Sequence, residues 1–326
     1  MIIVTGGAGF IGSCLVAALC DRGLDVVVVD WLGDTGKWRN LRNHPLVRIV
    51  PPDDLESLLG SASDVEAVFH MGAISSTTAH DGDLVWATNV ALSETLWDWC
   101  ARQGVRFIYA SSAATYGAAD RPELFSDDPK RLGTLKPLNL YGWSKHVFDL
   151  HVQARLDRGG MRPPQWAGLK FFNVYGPNEY HKGGMVSVVK VKYDEVHAGG
   201  AARLFRSDQA EIADGEQVRD FIWVGDVVKV LLWFLDNPGV DGLFNCGTGA
   251  ARSYRHLAQA VCLAAGVPER IEFIDMPESL RGQYQSFTRA DMSRLRAAGY
   301  TEPFVSLEEG IGLYVREYLS KSDPYL

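Results

Sequence analysis

The chain has 326 residues, 47% apolar and 22% charged, the balance of an ordinary globular protein with room for one large domain or two modest ones. Its net charge of −8 argues against a nucleic-acid or membrane-surface partner, though a local basic pocket for a phosphate stays open. Five cysteines (Cys14, Cys20, Cys100, Cys246 and Cys262) without metal-type spacing read as reduced core thiols and no metal site.

The first expected strand, Ile2–Thr5, runs straight into three spaced glycines, Gly6, Gly9 and Gly12, and a second, Val26–Asp30, ends in a carboxylate. Strand, glycine turn, helix and strand ending in Asp form the dinucleotide-binding βαβ unit. Gly6 lets the chain turn, Gly9 lets the backbone approach a pyrophosphate, and Gly12 lets helix and strand pack closely. The pyrophosphate would sit on the helix N-terminus, where unpaired N–H groups and the helix dipole favour an anion. Asp30 would accept hydrogen bonds from the adenosine ribose.

Further strands are expected over Val47–Val50, Ala67–Met71, Phe107–Ser111, Ala167–Asn173 and Leu243–Cys246. Helical apolar spacing runs across Leu84–Gln103 and Tyr141–Leu156. The alternation predicts an α/β fold, a Rossmann-type doubly wound parallel sheet with right-handed crossovers. Past Gly176 the rhythm loosens, with Gly183-Gly184, Gly199-Gly200, Asp214-Gly215 and Asn237-Pro238 punctuating shorter elements. A smaller C-terminal substrate-binding lobe is expected there. Residues 1–170, 223–249 and about 285–310 are assigned to the dinucleotide domain, and 171–222, 250–284 and about 311–326 to the lobe. No signal-peptide core follows Met1, and the apolar run Val227–Leu235 is too short for a membrane span and carries Lys229, so a cytoplasmic location is expected.

Three segments add chemistry. In Tyr141-Gly-Trp-Ser-Lys145, residues four apart share a helix face, so an ammonium lies beside a phenol and is expected to lower its pKa toward general acid/base work. Ser111-Ser-Ala-Ala-Thr-Tyr-Gly117 follows a central strand and brings a hydroxyl, Ser112, to its carboxyl end. His70-Met-Gly-Ala-Ile-Ser75 follows the fourth strand with residues small enough for backbone to touch a cofactor.

Together, Thr5-Gly6…Gly9…Gly12, the Ser112 segment and Tyr141/Lys145 resemble the extended short-chain dehydrogenase/reductase superfamily and its nucleotide-sugar epimerases and dehydratases. Nearly the whole chain is similar to the ADP-heptose 6-epimerase family within it. The similarity runs through Ser75-Ser-Thr-Thr78, Pro137–Gly142, Phe172–Pro177, Val218–Phe221, Trp233–Leu235, Gly247-Thr-Gly249 and Leu295–Tyr300. His181-Lys182-Gly183 and the segment 281–285 point to that family in particular. The resemblance implies an isomerase that holds NADP, with NAD an alternative. It would invert C6 of ADP-heptose for lipopolysaccharide biosynthesis, through a 6-keto intermediate. A homo-oligomer is also implied.

Tyr141 and Lys182 would then be acid/base groups on opposite faces of C6. Ser112 would hold the reacting oxygen, and Lys145 would hold the nicotinamide ribose. The implied cofactor contacts are Gly6, Gly9, Phe10, Ile11, Gly12, Asp30, Trp31, Lys37, Gly72, Ala73, Ile74, Ser75, Ser76, Asn89, Val174 and Lys182, besides Tyr141 and Lys145. The implied substrate contacts are Asn173, Gly184, Phe205, Arg206, Ser207, Asp208, Arg219 and Tyr284, besides Ser112. Arg219 suits a pyrophosphate because its donors form a fork.

There are departures from the family pattern. Val50-Pro-Pro-Asp-Asp54 lacks a lysine expected near the cofactor 2′-phosphate, and Asp30 would repel that phosphate unless Lys37, Arg39 and Arg42 offset it. Gly184, Val191 and Arg206-Ser207-Asp208 replace a Ser, a His and a Gly-Ser pair. Two other readings share the nucleotide motifs. A UDP-hexose 4-epimerase or dehydratase would not need Lys182, and a dehydratase would show an acidic pair where Ala113-Ala114 stand. An NAD(P)-sensing regulator would usually lack Tyr141 or Lys145.

Overall fold

The computed structural model describes residues 1–45, 47–278 and 285–326. In chain order the described strands are β1 (Ile2–Thr5), β2 (Val26–Val29), β3 (Arg48–Val50), β4 (Ala67–His70), β5 (Arg106–Ser112), β6 (Trp166–Phe171), β7 (Asn173–Tyr175), β8 (Ala202–Phe205), β9 (Val218–Trp223), β10 (Gly242–Cys246), β11 (Ala251–Ser253) and β12 (Ile271–Ile274). The α-helices are α1 (Phe10–Asp21), α2 (Leu55–Ser61), α3 (Gly82–Val85), α4 (Leu92–Gln103), α5 (Leu140–Asp157), α6 (Val188–His197), α7 (Val224–Asp236), α8 (Tyr254–Ala265), α9 (Ser293–Ala297) and α10 (Leu307–Tyr314).

Seven strands form one parallel sheet in the order β3-β2-β1-β4-β5-β6-β10. The central strands β1, β2 and β4 are buried along their whole length, and their apolar runs, polar only at Thr5 and His70 where β1 and β4 end, suit strands covered on both faces. At the edge, β3 leaves Arg48 and Ile49 exposed. Two core clusters line the sheet. One contains Leu15, Leu19, Leu231 and Phe234 from α1 and α7; the other contains Trp97, Cys100, Phe148 and Val152 from α4 and α5. Strand order reverses between β1 and β4, which opens a crevice at their carboxyl ends.

A third core, including Tyr175, Val189, Leu204, Trp223, Leu257 and Tyr314, joins α6, α8 and α10 to the three-stranded sheet β11-β9-β7 and the pair β12-β8. The expected strand Ala167–Asn173 is in fact two. Phe172 N–H donates to Cys246 O, and Val174 N–H folds back to Phe172 O at 2.9 Å, so β6 stays in the large sheet and β7 leaves it to pair with β9. The expected helix Leu84–Gln103 is likewise interrupted by a π-helical turn at Trp86–Ala91, a feature often found at functional sites. No helix among the described residues is long and apolar enough to cross a membrane. All five cysteines are free thiols, four of them buried.

Candidate functional site

The crevice begins where β1 and β4 end, with Thr5 and His70 paired in register. Gly6 has φ +65°, and a Cβ there would lie 2.5 Å from Gly72 Cα. A Cβ at Gly12 would lie 2.1 Å from Gly6 O, so the two turns close on each other only because side chains are missing. Helix α1 starts at Gly9 with no side-chain cap, leaving its first N–H groups to an anion. Buried Phe10 and half-buried Ile11 fill the first turn behind that opening.

Asp30, just past β2, accepts from Ala8 N–H at 3.0 Å and pairs with Lys37 Nζ at 2.7 Å. Of the cations expected to offset it, only Lys37 reaches it. Arg42 is paired with Asp323, and Arg39 lies 5.8 Å from the Trp38 ring. Exposed Trp31 donates its indole N–H to Asp53 at 3.1 Å.

Behind the crevice runs a buried polar chain. Ser93 Oγ donates to Asn89 O at 2.7 Å, so it accepts from His70 Nε2–H at 2.8 Å. His70 Nδ1 therefore accepts from Thr5 Oγ1 at 2.6 Å, and Thr5 in turn accepts from Gly72 N–H at 3.4 Å. The network assigns this tautomer. Burial holds His70 near pKa 3, with Lys145 adding to the effect, so the ring is neutral. Asn89 is fully buried in the π turn. Its amide clamps both backbone groups of Ile74 (2.8 and 3.0 Å) and Ser144 Oγ, which fixes the course of residues 72–76.

Ser112 ends β5 and caps the turn Ala113–Tyr116, its Oγ accepting from Ala114 N–H at 3.1 Å. Helix α5 is capped by Asn139 and lies against this turn at Gly142, where a Cβ would be 2.7 Å from Ala114 O. Tyr141 is thereby brought close enough to Ser112 for that hydroxyl to bear on its pKa. The expectation that Lys145 draws the phenol down is not met. Burial raises the Tyr141 pKa, and the opposing pull comes from Ser112. Lys145 is buried; loss of hydration lowers its ammonium to about 8, partly countered by Asp149. The helix spacing places that ammonium one turn beyond Tyr141, and Asp149 is the charge that bears on it.

Lys182 lies in the turn Tyr180–Met185, with its Nζ 5.3 Å from the Phe10 ring centroid at the start of α1. Burial lowers its pKa and Glu179 opposes this. Glu179 is fully buried and binds Ser187 Oγ at 2.7 Å and Tyr314 OH at 3.0 Å, so it anchors the turn that carries Lys182. Asn40 ties the segment leading into that turn to the glycine loop, donating to Ala8 O and Asn178 O at 2.9 Å each.

Toward the lobe, Asn173 is exposed on β7 and half-buried Val174 follows it. Buried Arg219 donates to Val218 O and Gln285 O and stacks 5.4 Å from the Tyr254 ring. Its neighbour Asp220 is satisfied instead by Thr248, Gly249 and Ala290. Gln285 in turn donates to Gly117 O, which links Arg219 to the Ser112 turn. Half-buried Phe205 ends β8; Arg206 pairs with Asp214, which also accepts from Ser207 N–H at 2.8 Å. Asp208 and Gly184 are exposed. Tyr284 lies outside the described residues.

The sequence reading used His70 only as the start of a segment of small residues and gave no role to Asp149, Lys170 or Glu179. For Asp149 a signal existed, since it continues the Tyr141/Lys145 spacing by one further helix turn.

A doubly wound sheet with a glycine cradle at its switch point, and a phenol and a buried ammonium beside it, is the architecture of nicotinamide-dependent enzymes acting on hydroxyl carbons. Residues 2–247 match the NAD dependent epimerase/dehydratase family, and the chain belongs to it. It is 51% identical, over 100% of both chains, to an ADP-L-glycero-D-manno-heptose-6-epimerase from Nitratidesulfovibrio vulgaris (strain DP4). The crystal structure of Helicobacter pylori ADP-L-glycero-D-manno-heptose-6-epimerase is similar at 27% identity and TM-score 0.78, covering 97% of this chain and 95% of that one. The crystal structure of a Thermus thermophilus UDP-glucose 4-epimerase in complex with NAD is similar at 28% identity and TM-score 0.73, covering 96% of this chain and 97% of that one.

Proposed function

We propose that the protein is an isomerase that converts ADP-D-glycero-D-manno-heptose to its L-glycero epimer at C6, a step in making heptose for lipopolysaccharide. The observation that supports this most is the 51% identity along the whole chain to a curated epimerase of that name. The cradle of Gly6, Gly9, Gly12 and Asp30 fits a nicotinamide dinucleotide. A nicotinamide held there would supply a reversible hydride acceptor for C6, so that epimerisation involves no net redox change.

The chain's own groups handle the protons. The C6 hydroxyl lies on opposite sides of the carbon before and after inversion, so two bases on different elements suit the reaction better than one. Burial lowers the Lys182 ammonium, which suits it to accept a proton, and raises the Tyr141 phenol, which suits it to donate one to a ketone oxygen. Reversal exchanges the roles. Ser112 holds the reacting oxygen beside Tyr141. Residues 171–222, 250–284 and about 311–326 furnish the lobe for the nucleotide sugar, with Asn173 and Arg219 as its polar contacts. NADP is the proposed cofactor and NAD the alternative, because Lys37 neutralises the Asp30 carboxylate that would otherwise oppose a 2′-phosphate. A cytoplasmic homo-oligomer completes the reading.

The test is incubation with ADP-D-glycero-D-manno-heptose and separation of the C6 epimers. Tyr141→Phe and Lys182→Met should each lose about 10²–10⁴-fold in epimerisation while retaining cofactor. On an analogue with an aldehyde at C6, whose dismutation needs hydride transfer but no inversion, each single variant should keep part of its activity and the double variant none. Normal epimerisation by Lys182→Met would favour a single-base sugar epimerase.

A further inference from the structure

A fully buried ion pair lies behind the Ser112 turn. Lys170 on β6 and Asp149 on α5 expose no side-chain surface, and Lys170 Nζ is 2.7 Å from Asp149 Oδ2. Burying two charges is costly, and an apolar pair of similar volume often stabilises a fold as well or better. Stability alone is therefore a poor reason for this pair.

Its remaining contacts converge on the site. Asp149 accepts from Ser111 Oγ at 2.7 Å and from Tyr109 OH at 3.0 Å, both on β5. Lys170 Nζ donates to Thr115 Oγ1 at 2.7 Å, and that hydroxyl donates to Ser112 O at 2.8 Å. Asp149 also shares a helix face with Lys145 and Tyr141, at successive spacings of four residues.

We propose that Asp149 and Lys170 are positioning residues for the acid/base site: Lys170 fixes the Ser112 turn through Thr115, and Asp149 locks α5 to the end of β5 while presenting a negative charge to the Lys145 ammonium. This rests on the epimerase reading given above. Asp149 is the charged group that bears on Lys145 and favours its protonated form. Of the other titratable groups around it, Tyr141 on the same helix is a neutral phenol, His70 on β4 is a neutral ring that senses the Lys145 charge, and Lys170 on β6 is paired with Asp149. Burial alone pulls Lys145 down, and the Asp149 charge is what opposes it. Removing that charge should make Lys145 lose its proton at a lower pH.

The experiment replaces the pair by apolar side chains, Asp149→Leu with Lys170→Met, in the full-length protein. The denaturation midpoint should stay at or above that of the parent, as expected when a buried pair is exchanged for packing. The kcat for C6 epimerisation should fall at least about tenfold with KM little changed. The alkaline limb of the kcat profile should move about one unit to lower pH. A folded double variant with parental kcat and pH profile overturns the inference. If the double variant does not fold, Thr115→Val, nearly the same shape, breaks only the relay to Ser112. It should lower kcat while leaving the alkaline limb in place, and an unchanged kcat there overturns the inference. A parent that does not epimerise C6 at all overturns the underlying reading, and this inference with it.

Discussion

His70 couples the nucleotide cradle to stability in a way that acid should expose. The ring is buried and neutral, with a pKa near 3 against an ordinary 6.5. The folded-state value is depressed, so the unfolded chain binds the proton more readily. The stabilisation is thus complete above pH 6.5 and drains away as pH falls from 6.5 toward 3. Each unit is about 1.4 kcal/mol, so lowering the pH from 6.5 to 5 should remove roughly 2 kcal/mol and the full interval about 5 kcal/mol. A His70→Gln variant cannot titrate here. Its baseline stability should be lower, since the amide cannot reproduce both ring contacts, but flatter with pH across this window. Chemical denaturation at pH 7.5, 6 and 5 measures the difference, at constant cofactor concentration because a ligand of the folded state adds its own stabilisation. If the two proteins lost stability in parallel as pH fell, the neutral buried imidazole would not be the source.

Three further outcomes are expected. Ser112→Ala should slow epimerisation by about 10²-fold or more while the protein keeps its cofactor, because one donor to the reacting oxygen is gone; an unchanged rate would reduce the segment to a turn. Lys37→Met leaves Asp30 without its cation, so affinity for NADP relative to NAD should fall about tenfold, read from competition between the two nucleotides; an unaltered ratio would remove Lys37 from cofactor choice. Burial raises Asp127 from 3.8 to about 6, opposed chiefly by Asn245 N–H and Arg294, so its favourable protonated form is present at low pH and lost as pH rises from 3.8 through 6. Asp127→Asn should therefore gain stability relative to the parent between pH 4 and pH 8, by up to about 3 kcal/mol, and a difference constant with pH would refute this.

The dinucleotide half of the fold was legible because its signals are local. Gly6, Gly9 and Gly12 announce a tight turn, in which Gly6 and Gly12 tolerate no Cβ, and the runs at Ile2, Val26 and Ala67 announce strands covered on both faces. The lobe offered no such signals. Its strands are short, and β12 pairs with β8 across some seventy residues, so partners that create the pattern are invisible in any local window. The π turn at Trp86–Ala91 was missed for a related reason: its one extra residue does not disturb the apolar spacing on either side, yet it places Asn89 against Ile74. Arg39 and Arg42 show the converse limit. Proximity in sequence to Asp30 says nothing about Trp38 and Asp323, which claim them.

The motif Tyr141-x-x-x-Lys145 gave adjacency correctly and the electrostatic sign wrongly, and the reason bears on the chemistry. Adjacency follows from helix geometry alone. The pKa depends on how much water each group loses, and here desolvation is the leading cause for Tyr141, Lys145 and Lys182 alike. Loss of water favours the neutral form of any group, so it raises the phenol and lowers both ammoniums. For the proposed acid/base pair, Tyr141 and Lys182, this means a phenol that keeps its proton and an amine that releases its proton more readily than in water, while the Asp149 charge holds the Lys145 ammonium against the same pull. An isolated ion pair of phenolate and ammonium would stabilise one protonation state and resist the return step. An epimerase must run the same proton transfers forward on one face and backward on the other, and in the proposed site a phenol and an amine whose neutral forms burial favours suit that demand better than a standing charge pair.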